Sequence, residues 1–371
     1  MADPRISVIM PIYNAAGTIA QTIASVLAQS RRDFEIVAID DGSIDDTGAI
    51  LQTLAQRDRR LRVWRFANAG QAIARNRGLA RARGEFVAFL DADDWWTADK
   101  LAAQLAALEA HPAAALAYSW TDYVDDRAGF SHRGSYVSLS GPVLGPLLQL
   151  NFLENGSNPL VRRSALEMLG WPTVADPAPI GPFDPALVPS EDWDLWLRLA
   201  ARFEFVCVPR VQVLYRVAAG SQSTNVARLE RSGTACLRRV IALVPALEAR
   251  RAIAFGNFYK YLLYKYLAPR LDRLALAAAR PSPRQWALGW HLWSQLLRYD
   301  SAIVRSPVHL KILLGLAAIG LFPSGARRSL LDRLGRRARW LDPQSLLGYI
   351  RRPTEADAHL PDRADQPKNR R

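Results

Sequence analysis

Short apolar runs and amphipathic stretches alternate through the first third of the chain. Ile6–Met10, Glu35–Asp40, Leu61–Arg65 and Phe86–Leu90 have the length and composition of buried strands. Between and after them, Thr18–Gln29, Thr47–Ala55, Gln71–Arg83 and Leu101–His111 repeat apolar residues at helical spacing. A fifth strand is expected at Ala114–Tyr118. Alternation at this pitch predicts an α/β fold: a mostly parallel sheet, wound by right-handed crossovers, with helices on both faces. Residues 121–190 are rich in Gly, Pro, Ser and Asp, and beside such a sheet they read as binding loops rather than a linker. Asp192–Ala201 then reads as a helix, and Phe205–Val208 and Val211–Val217 as strands. From about residue 227 the pattern is helical and Arg-rich, broken at Pro245, Pro269, Pro281, Pro307 and Pro323. The tail from Pro353 is charged and reads as disordered. The expected organisation is therefore an α/β domain over 1–226, a basic helical region over 227–352 and a tail over 353–371.

Composition adds a compartment and a charge asymmetry. Cys207 and Cys236 are too few for a disulfide framework and lack zinc-site spacing, so a reducing, cytoplasmic setting is expected. The first apolar run is too short for a signal peptide core. The stretch Ile312–Phe322 falls well short of the roughly 20 residues a membrane-spanning helix needs. Residues 1–226 carry 21 Lys and Arg against 25 Asp and Glu, whereas 227–371 carry 27 against 10. A basic region of this kind suits phosphates, on anionic lipid or on nucleic acid. No nucleic-acid motif accompanies it, and none is expected to bind. Phe255, Phe258, Tyr259, Tyr261, Leu262, Tyr264, Tyr266, Trp286, Trp290 and Trp293 interleave with the Arg residues. They fit a bilayer headgroup layer, with peripheral attachment to the inner face of the cell membrane. They fit equally the core of a helical bundle with a solvated Arg face.

Chemistry concentrates at the expected carboxyl ends of strands, where open α/β sheets bind ligands. Pro11-Ile12-Tyr13-Asn14 closes the first strand, and Tyr13 can stack on a flat base. Asp40-Asp41-Gly42-Ser43 closes the second; one carboxylate can accept from a pyrimidine N–H, though Asp, Gly and Ser also make ordinary turns. Asp91-Ala92-Asp93-Asp94 closes the fourth. Strand alternation would put Asp91 and Asp93 on one side, where paired oxygens suit Mg²⁺ or Mn²⁺ with substrate phosphates completing the shell. The calcium-loop, P-loop and dinucleotide signatures are absent. Glu191 and Asp192 open a helix, a favourable place for carboxylates in any protein; Asp192 also suits a general base.

In this order the motifs resemble those of the family 2 inverting glycosyltransferases of GT-A fold, over about residues 5–225. Asn68-Ala69-Gly70-Gln71-Ala72-Ile73-Ala74-Arg75-Asn76-Arg77-Gly78 is similar to the same family's segment between its nucleotide-binding halves. The resemblance implies a nucleotide-sugar donor of the UDP class and a glycan or polyprenyl-linked acceptor in cell-surface polysaccharide biosynthesis. It implies Pro11, Tyr13, Asn14, Asp40 and Asp41 around the base, Gly70 and Arg75 along the nucleotide, and Asp91 at the ribose or sugar. It implies Asp93 as ligand of Mn²⁺ or Mg²⁺, Asp192 as catalytic base and Glu191 positioning the acceptor. One departure stands out. Where relatives carry Tyr-Arg-x-His, this chain has Tyr215-Arg216-Val217-Ala218, which removes one expected ligand and leaves Arg216, Ser221 or Ser223 as candidates for the phosphate. A silent nucleotide-sugar or carbohydrate-binding protein is the alternative; the intact Asp91, Asp93 and Asp192 oppose it.

Overall fold

The computed structural model describes residues 3–125, 129–169, 181–217, 225–272, 282–321 and 350. They fall into two compact units: the described residues up to 217 apart from Leu148–Leu150, and Leu148–Leu150 with the described residues from 225 onward. The tail expected over 353–371 lies outside the described residues, as do Ala218, Ser221 and Ser223.

The first unit is built on a nine-stranded sheet. Its strands are β1 (Ile6–Ile12), β2 (Phe34–Asp40), β3 (Leu61–Arg65), β4 (Phe86–Phe89), β5 (Trp95–Trp96), β6 (Ala114–Val124), β7 (Phe130–Arg133), β8 (Leu160–Arg162) and β9 (Glu204–Arg216). They run in the order β3-β2-β1-β4-β8-β6-β9-β5, with β7 beside β6. The pairs β1–β2, β2–β3, β1–β4 and β6–β9 are parallel. Pairs β4–β8, β6–β8, β6–β7 and β5–β9 are antiparallel, so the sheet is more evenly mixed than the strand–helix alternation predicts. Two of these four antiparallel pairs come from β8, a three-residue strand inside the stretch read as loops, which lies between β4 and β6.

Helices cover both faces, as expected. Alternate residues of β1 (Ile6, Val8, Met10, Ile12) pack with Ile19, Ile23 and Val26 of α1 (Ile19–Leu27), Leu51 of α2 (Thr47–Arg57) and Leu101, Leu105 and Leu108 of α4 (Lys100–Ala110). On the opposite face Gly78 of α3 (Gln71–Leu79) lies against Ile9 and Ile39. Phe89, in register with Ile9, meets Phe183 edge-on at 4.9 Å and Trp196 of α7 (Glu191–Ala200) at 6.2 Å. Two short helices, α5 (Leu144–Gln149) and α6 (Arg163–Glu167), lie within residues 121–190.

Several boundaries differ from expectation, among them the fifth strand, which runs on to Val124, and three in β1, β9 and β4. β1 runs through Pro11, because the residues facing β4 alternate with those facing β2. Ile9 bonds toward β4 and Ile12 toward β2, so the N–H that Pro11 lacks falls where β4 has already ended. β9 is one strand, not two, with its register irregular around Ser119–Thr121 of β6. The fourth strand stops at Phe89, and Asp91–Asp94 form a turn closed by the Asp94 N–H on the Asp91 carbonyl at 3.2 Å. Strand alternation therefore does not orient Asp91 and Asp93.

The second unit contains α8 (Val226–Leu243), α9 (Arg251–Asp272), α10 (Pro283–Tyr299) and α11 (Pro307–Leu321). Phe255, Phe258, Tyr259, Leu262 and Tyr266 of α9 are buried with Cys236, Leu237, Leu292, Leu296 and Leu316. Phe255 stacks on Tyr299 at 4.7 Å. That aromatic stripe is bundle core, whereas Arg228, Arg231, Arg238 and Arg239 occupy the exposed face of α8. Trp286, Leu310 and Leu314 remain exposed at 37%, 50% and 42%.

Candidate active site

The carboxyl ends of β1, β2 and β4 and the N-terminus of α7 carry the acidic and aromatic residues singled out above. After β1, Asn14 takes a positive φ of 49°. Its N–H donates to Ser43 Oγ at 3.0 Å, and its Oδ1 accepts from the Ile44 N–H at 2.9 Å. This pins the β1 loop to the β2 loop and leaves the Tyr13 ring half exposed. Pro11 is buried in β1.

After β2, the two carboxylates are absorbed by the chain itself. Asp40 Oδ1 accepts from the Ser43 N–H at 2.8 Å and its Oδ2 lies 3.6 Å from Arg65 Nε. Asp41 accepts from the Ala69 and Gly70 N–H groups, the latter at 2.7 Å, and from Arg77 Nη1 at 2.9 Å. Gly42 has φ +82°, and a Cβ there would sit 2.9 Å from the Asn68 N. Asp41 thus fixes the entry of α3: Gly70, with φ +90°, precedes the helix that carries Arg75.

Arg75 is the centre of the arrangement. It is 2% exposed, with Nη2 at 2.6 Å from Asp91 and Nη1 at 2.7 Å from Glu191. Its guanidinium lies over the Phe183 ring at 5.4 Å. Burial pulls its pKa down, but Asp91, Glu191 and Asp192 outweigh that and raise it, so the charge is permanent. Arg75, expected along the nucleotide, joins the end of β4 to the start of α7. Gln71, one turn earlier on α3, also donates to Glu191.

The carboxylates differ sharply in environment. Asp91 is partly exposed, its side chain 27% accessible. Asp192 is pushed up to about 7 by burial and by Glu191, with Arg75 opposing. Asp93 is pushed up to about 6 by burial and by Asp91, with Arg216 opposing. The Arg216 guanidinium donates to the Asp93 carbonyl at 3.1 Å and to Gln21 at 2.8 Å, and lies over the Trp95 ring. Asp94 is fully buried, accepting from Ser157 Oγ at 2.6 Å and from the Arg216 N–H at 3.0 Å. Burial, Asp93 and Asp91 hold its pKa well above the carboxylate range. Asp94 is therefore a clasp on β9, unlike Asp91 and Asp93.

Among the described residues no three His, Cys, Asp or Glu side chains form a metal cage. The chemistry of the Asp91–Asp93 pair nevertheless suits a hard divalent cation: two carboxylates in one turn, near enough for Asp91 to raise the pKa of Asp93, with the Asp91 side chain partly accessible. Mg²⁺ commonly binds in this way, through one or two carboxylates plus phosphates.

Some participants had no readable signal in the sequence. Thr18 and Thr22, one turn apart on the α1 side, both donate to the Ala92 carbonyl, at 2.8 and 3.0 Å. Their i, i+4 spacing is a signal only once the Asp91–Asp94 turn is known to lie above them. Ser157 and Gln71 likewise act across contacts that no local pattern encodes.

Comparison with known proteins fits this geometry. The profile of Glycosyl transferase family 2 matches residues 7–169. An Escherichia coli protein, UDP-Glc:alpha-D-GlcNAc-diphosphoundecaprenol beta-1,3-glucosyltransferase WfgD, is 30% identical over 233 residues, covering 61% of this chain and 82% of that protein. Bacillus subtilis TuaG, a putative teichuronic acid biosynthesis glycosyltransferase, is 46% identical over 121 residues, which are 32% of this chain and 47% of TuaG. An uncharacterized glycosyltransferase of Rickettsia felis is matched over only 32% of its length, so the chain spans a third to a half of several relatives. Among solved structures, S. aureus TarS 1-349 in complex with UDP-GlcNAc superposes with a TM-score of 0.54 at 19% identity, over 90% of this chain and 92% of that one, a likeness of fold. With 30% identity over most of the length of WfgD, and the profile match spanning β1 to β8, the chain belongs to glycosyltransferase family 2.

Proposed function

We propose that the protein transfers a sugar from a nucleotide-sugar, of the UDP class, to a hydroxyl of a glycan or polyprenyl-linked acceptor during assembly of a cell-surface polysaccharide, with inversion at the anomeric carbon. The observation that carries this is the Arg75 strut. It holds Asp91, after β4, and Glu191, beside Asp192 on α7, on the two terminal nitrogens of one buried guanidinium. A base and a donor-binding carboxylate are thereby set in one rigid frame, which is what a single displacement requires. The names of WfgD and TuaG support the acceptor class and the polysaccharide setting.

In this reading Tyr13 stacks on the base, beside Asn14 and Gly70, in loops whose shape Pro11, Asp40 and Asp41 hold from behind. Asp91 meets the ribose or the sugar. Glu191 orients the acceptor, and Asp192, with a pKa near neutrality, takes the proton of its hydroxyl. The acceptor oxygen bonds to the anomeric carbon as the bond to the diphosphate oxygen breaks, and the nucleoside diphosphate departs. Mn²⁺ or Mg²⁺, held by Asp93 when bound, supplies neutralisation of the charge on the leaving diphosphate. Arg216, beside Asp93, adds positive charge on the same side, where relatives carry the His that Ala218 replaces. The test is release of UDP from UDP-glucose, UDP-galactose and UDP-N-acetylglucosamine, with and without Mn²⁺. Stimulated release from one of them is expected; release from none overturns the reading.

A peripheral position at the cytoplasmic face of a membrane completes the proposal. No helix among the described residues is long and apolar enough to cross a membrane. Support comes from the exposed Trp286, Leu310 and Leu314 and from Arg284 and Arg305, all exposed in the same unit. The full chain is expected to float with vesicles containing anionic lipid and not with zwitterionic ones at low salt. Equal behaviour on both removes the electrostatic membrane role.

A further inference from the structure

The segment Asn155-Gly156-Ser157-Asn158 comes from the stretch whose sequence read only as loops, yet it is among the most deeply packed parts of the first unit. Asn155, Ser157 and Asn158 are 4%, 0% and 0% exposed. It immediately precedes β8, and β8 runs antiparallel to β4. Since β8 starts where β4 ends, the segment must arrive beside the Asp91–Asp94 turn.

Each residue there has a defined task. Asn158 is anchored to β6: its Nδ2 donates to the Ser119 carbonyl at 2.7 Å and its Oδ1 accepts from the Ser119 N–H at 2.8 Å. Asn155 Nδ2 donates to Thr121 Oγ1 at 3.1 Å. Between these two anchors, Ser157 faces the acidic turn. Its hydroxyl donates to Asp94 Oδ2 at 2.6 Å and accepts from the Asp91 N–H at 3.1 Å. Its carbonyl accepts from the Trp96 indole N–H at 2.9 Å. One side chain thus ties both ends of the turn that carries Asp93. Gly156 lies against Arg75, where a Cβ would sit 2.8 Å from Nη2, so the same segment also backs the strut to Glu191.

We propose that Ser157 is a positioning residue of the transfer reaction: by bridging the Asp91 backbone to the Asp94 carboxylate it fixes the spacing of Asp91 and Asp93 around the donor diphosphate and its divalent cation. The proposal rests on the glycosyl-transfer reading given above. Its physical basis is that groups supporting metal or phosphate ligands from behind set their geometry, and that loss of such a support leaves a buried carboxyl and a backbone N–H without their partner.

The experiment measures Mn²⁺ binding in the presence of UDP by electron paramagnetic resonance, which needs no turnover, alongside steady-state UDP release, on wild type, Ser157→Ala, Ser157→Cys and Ser157→Thr. Ser157→Ala is expected to weaken Mn²⁺–UDP binding and to lower kcat/KM, each by about tenfold to a hundredfold. Ser157→Thr, which keeps the hydroxyl, recovers part of both. Ser157→Cys keeps the volume but donates weakly, and shifts both quantities in the alanine direction should the alanine variant fail to fold. A folded Ser157→Ala or Ser157→Cys protein with Mn²⁺–UDP binding and kcat/KM within twofold of wild type overturns the proposal. Wild-type protein that shows no Mn²⁺-dependent UDP binding overturns the transfer reading as well, a pattern distinct from wild-type binding with an unaffected variant.

Discussion

Replacing Asp192 by Asn is expected to reduce sugar transfer to an acceptor by about 10²–10⁴-fold, the usual worth of a positioned general base. Affinity for UDP should stay unchanged, because Asp192 stands on α7 and the loops proposed to hold the base follow β1 and β2. Asn keeps the shape and can still accept from the Trp193 N–H, which Asp192 Oδ1 does at 2.7 Å, so the loss is chemical rather than structural. The pH profile provides a second readout. With the Asp192 pKa near 7, wild-type transfer should rise with pH through about 7 as the carboxyl deprotonates, and the Asn variant should lose that limb. Stability carries the opposite sign. A carboxyl whose pKa is raised on folding binds more protons in the native than in the unfolded state, so its contribution falls as pH rises from about 4 toward 7. Asp192→Asn should therefore gain stability relative to wild type above pH 7, by thermal denaturation at pH 6 and 8. A variant that transfers sugar at the wild-type rate removes Asp192 from the role of base.

How much of this site could be read in the sequence depends on whether a signal was local. The acidic strand ends were legible, because an apolar run terminated by Asp91, Asp93 and Asp94, or by Asp40 and Asp41, is a contiguous pattern. The helix start at Glu191 was legible within one residue for the same reason. The partners of those acids were not. Arg75 sits in a stretch that the family resemblance associates with the nucleotide, and its ion pairs with Asp91 and Glu191, residues distant in sequence, depend on the packing of α3 against Ile9 and Ile39. The strand β8 is three residues long and begins directly after Pro159, too short for periodicity to register, yet its antiparallel insertion helps make the sheet mixed and delivers Ser157. The aromatic stripe of α9 was ambiguous because apolar periodicity is the same whether a helix faces a bundle or a lipid surface; its burial settles that stripe as core.

Replacing Asp93 by Ala is expected to abolish Mn²⁺ stimulation of UDP release and to lower the stimulated rate by about 10²–10³-fold, as for loss of a group that stabilises transition-state charge. The choice among the three acids follows from their surroundings. Asp94 has one oxygen on Ser157 and the other on the Arg216 N–H and is fully buried, so its loss should cost folding before it costs metal. Asp91 has one oxygen on Arg75 and a partly accessible side chain, which fits the proposed contact with the donor. Asp93 is held near a like charge, and burial and Asp91 together push its pKa up to about 6. A divalent cation relieves that repulsion, so binding and deprotonation are linked: the apparent Mn²⁺ affinity of wild type should fall by about tenfold per pH unit below 6 and level off above it. Arg216 opposes the rise, and it stands beside Asp93 in a chain whose expected His is Ala218. On the proposed reading Arg216 meets part of the diphosphate charge, which predicts that Asp93→Ala retains a slow, metal-independent release that Arg216→Gln further reduces. Mn²⁺ stimulation surviving in Asp93→Ala would place the metal on other ligands, and with it the diphosphate.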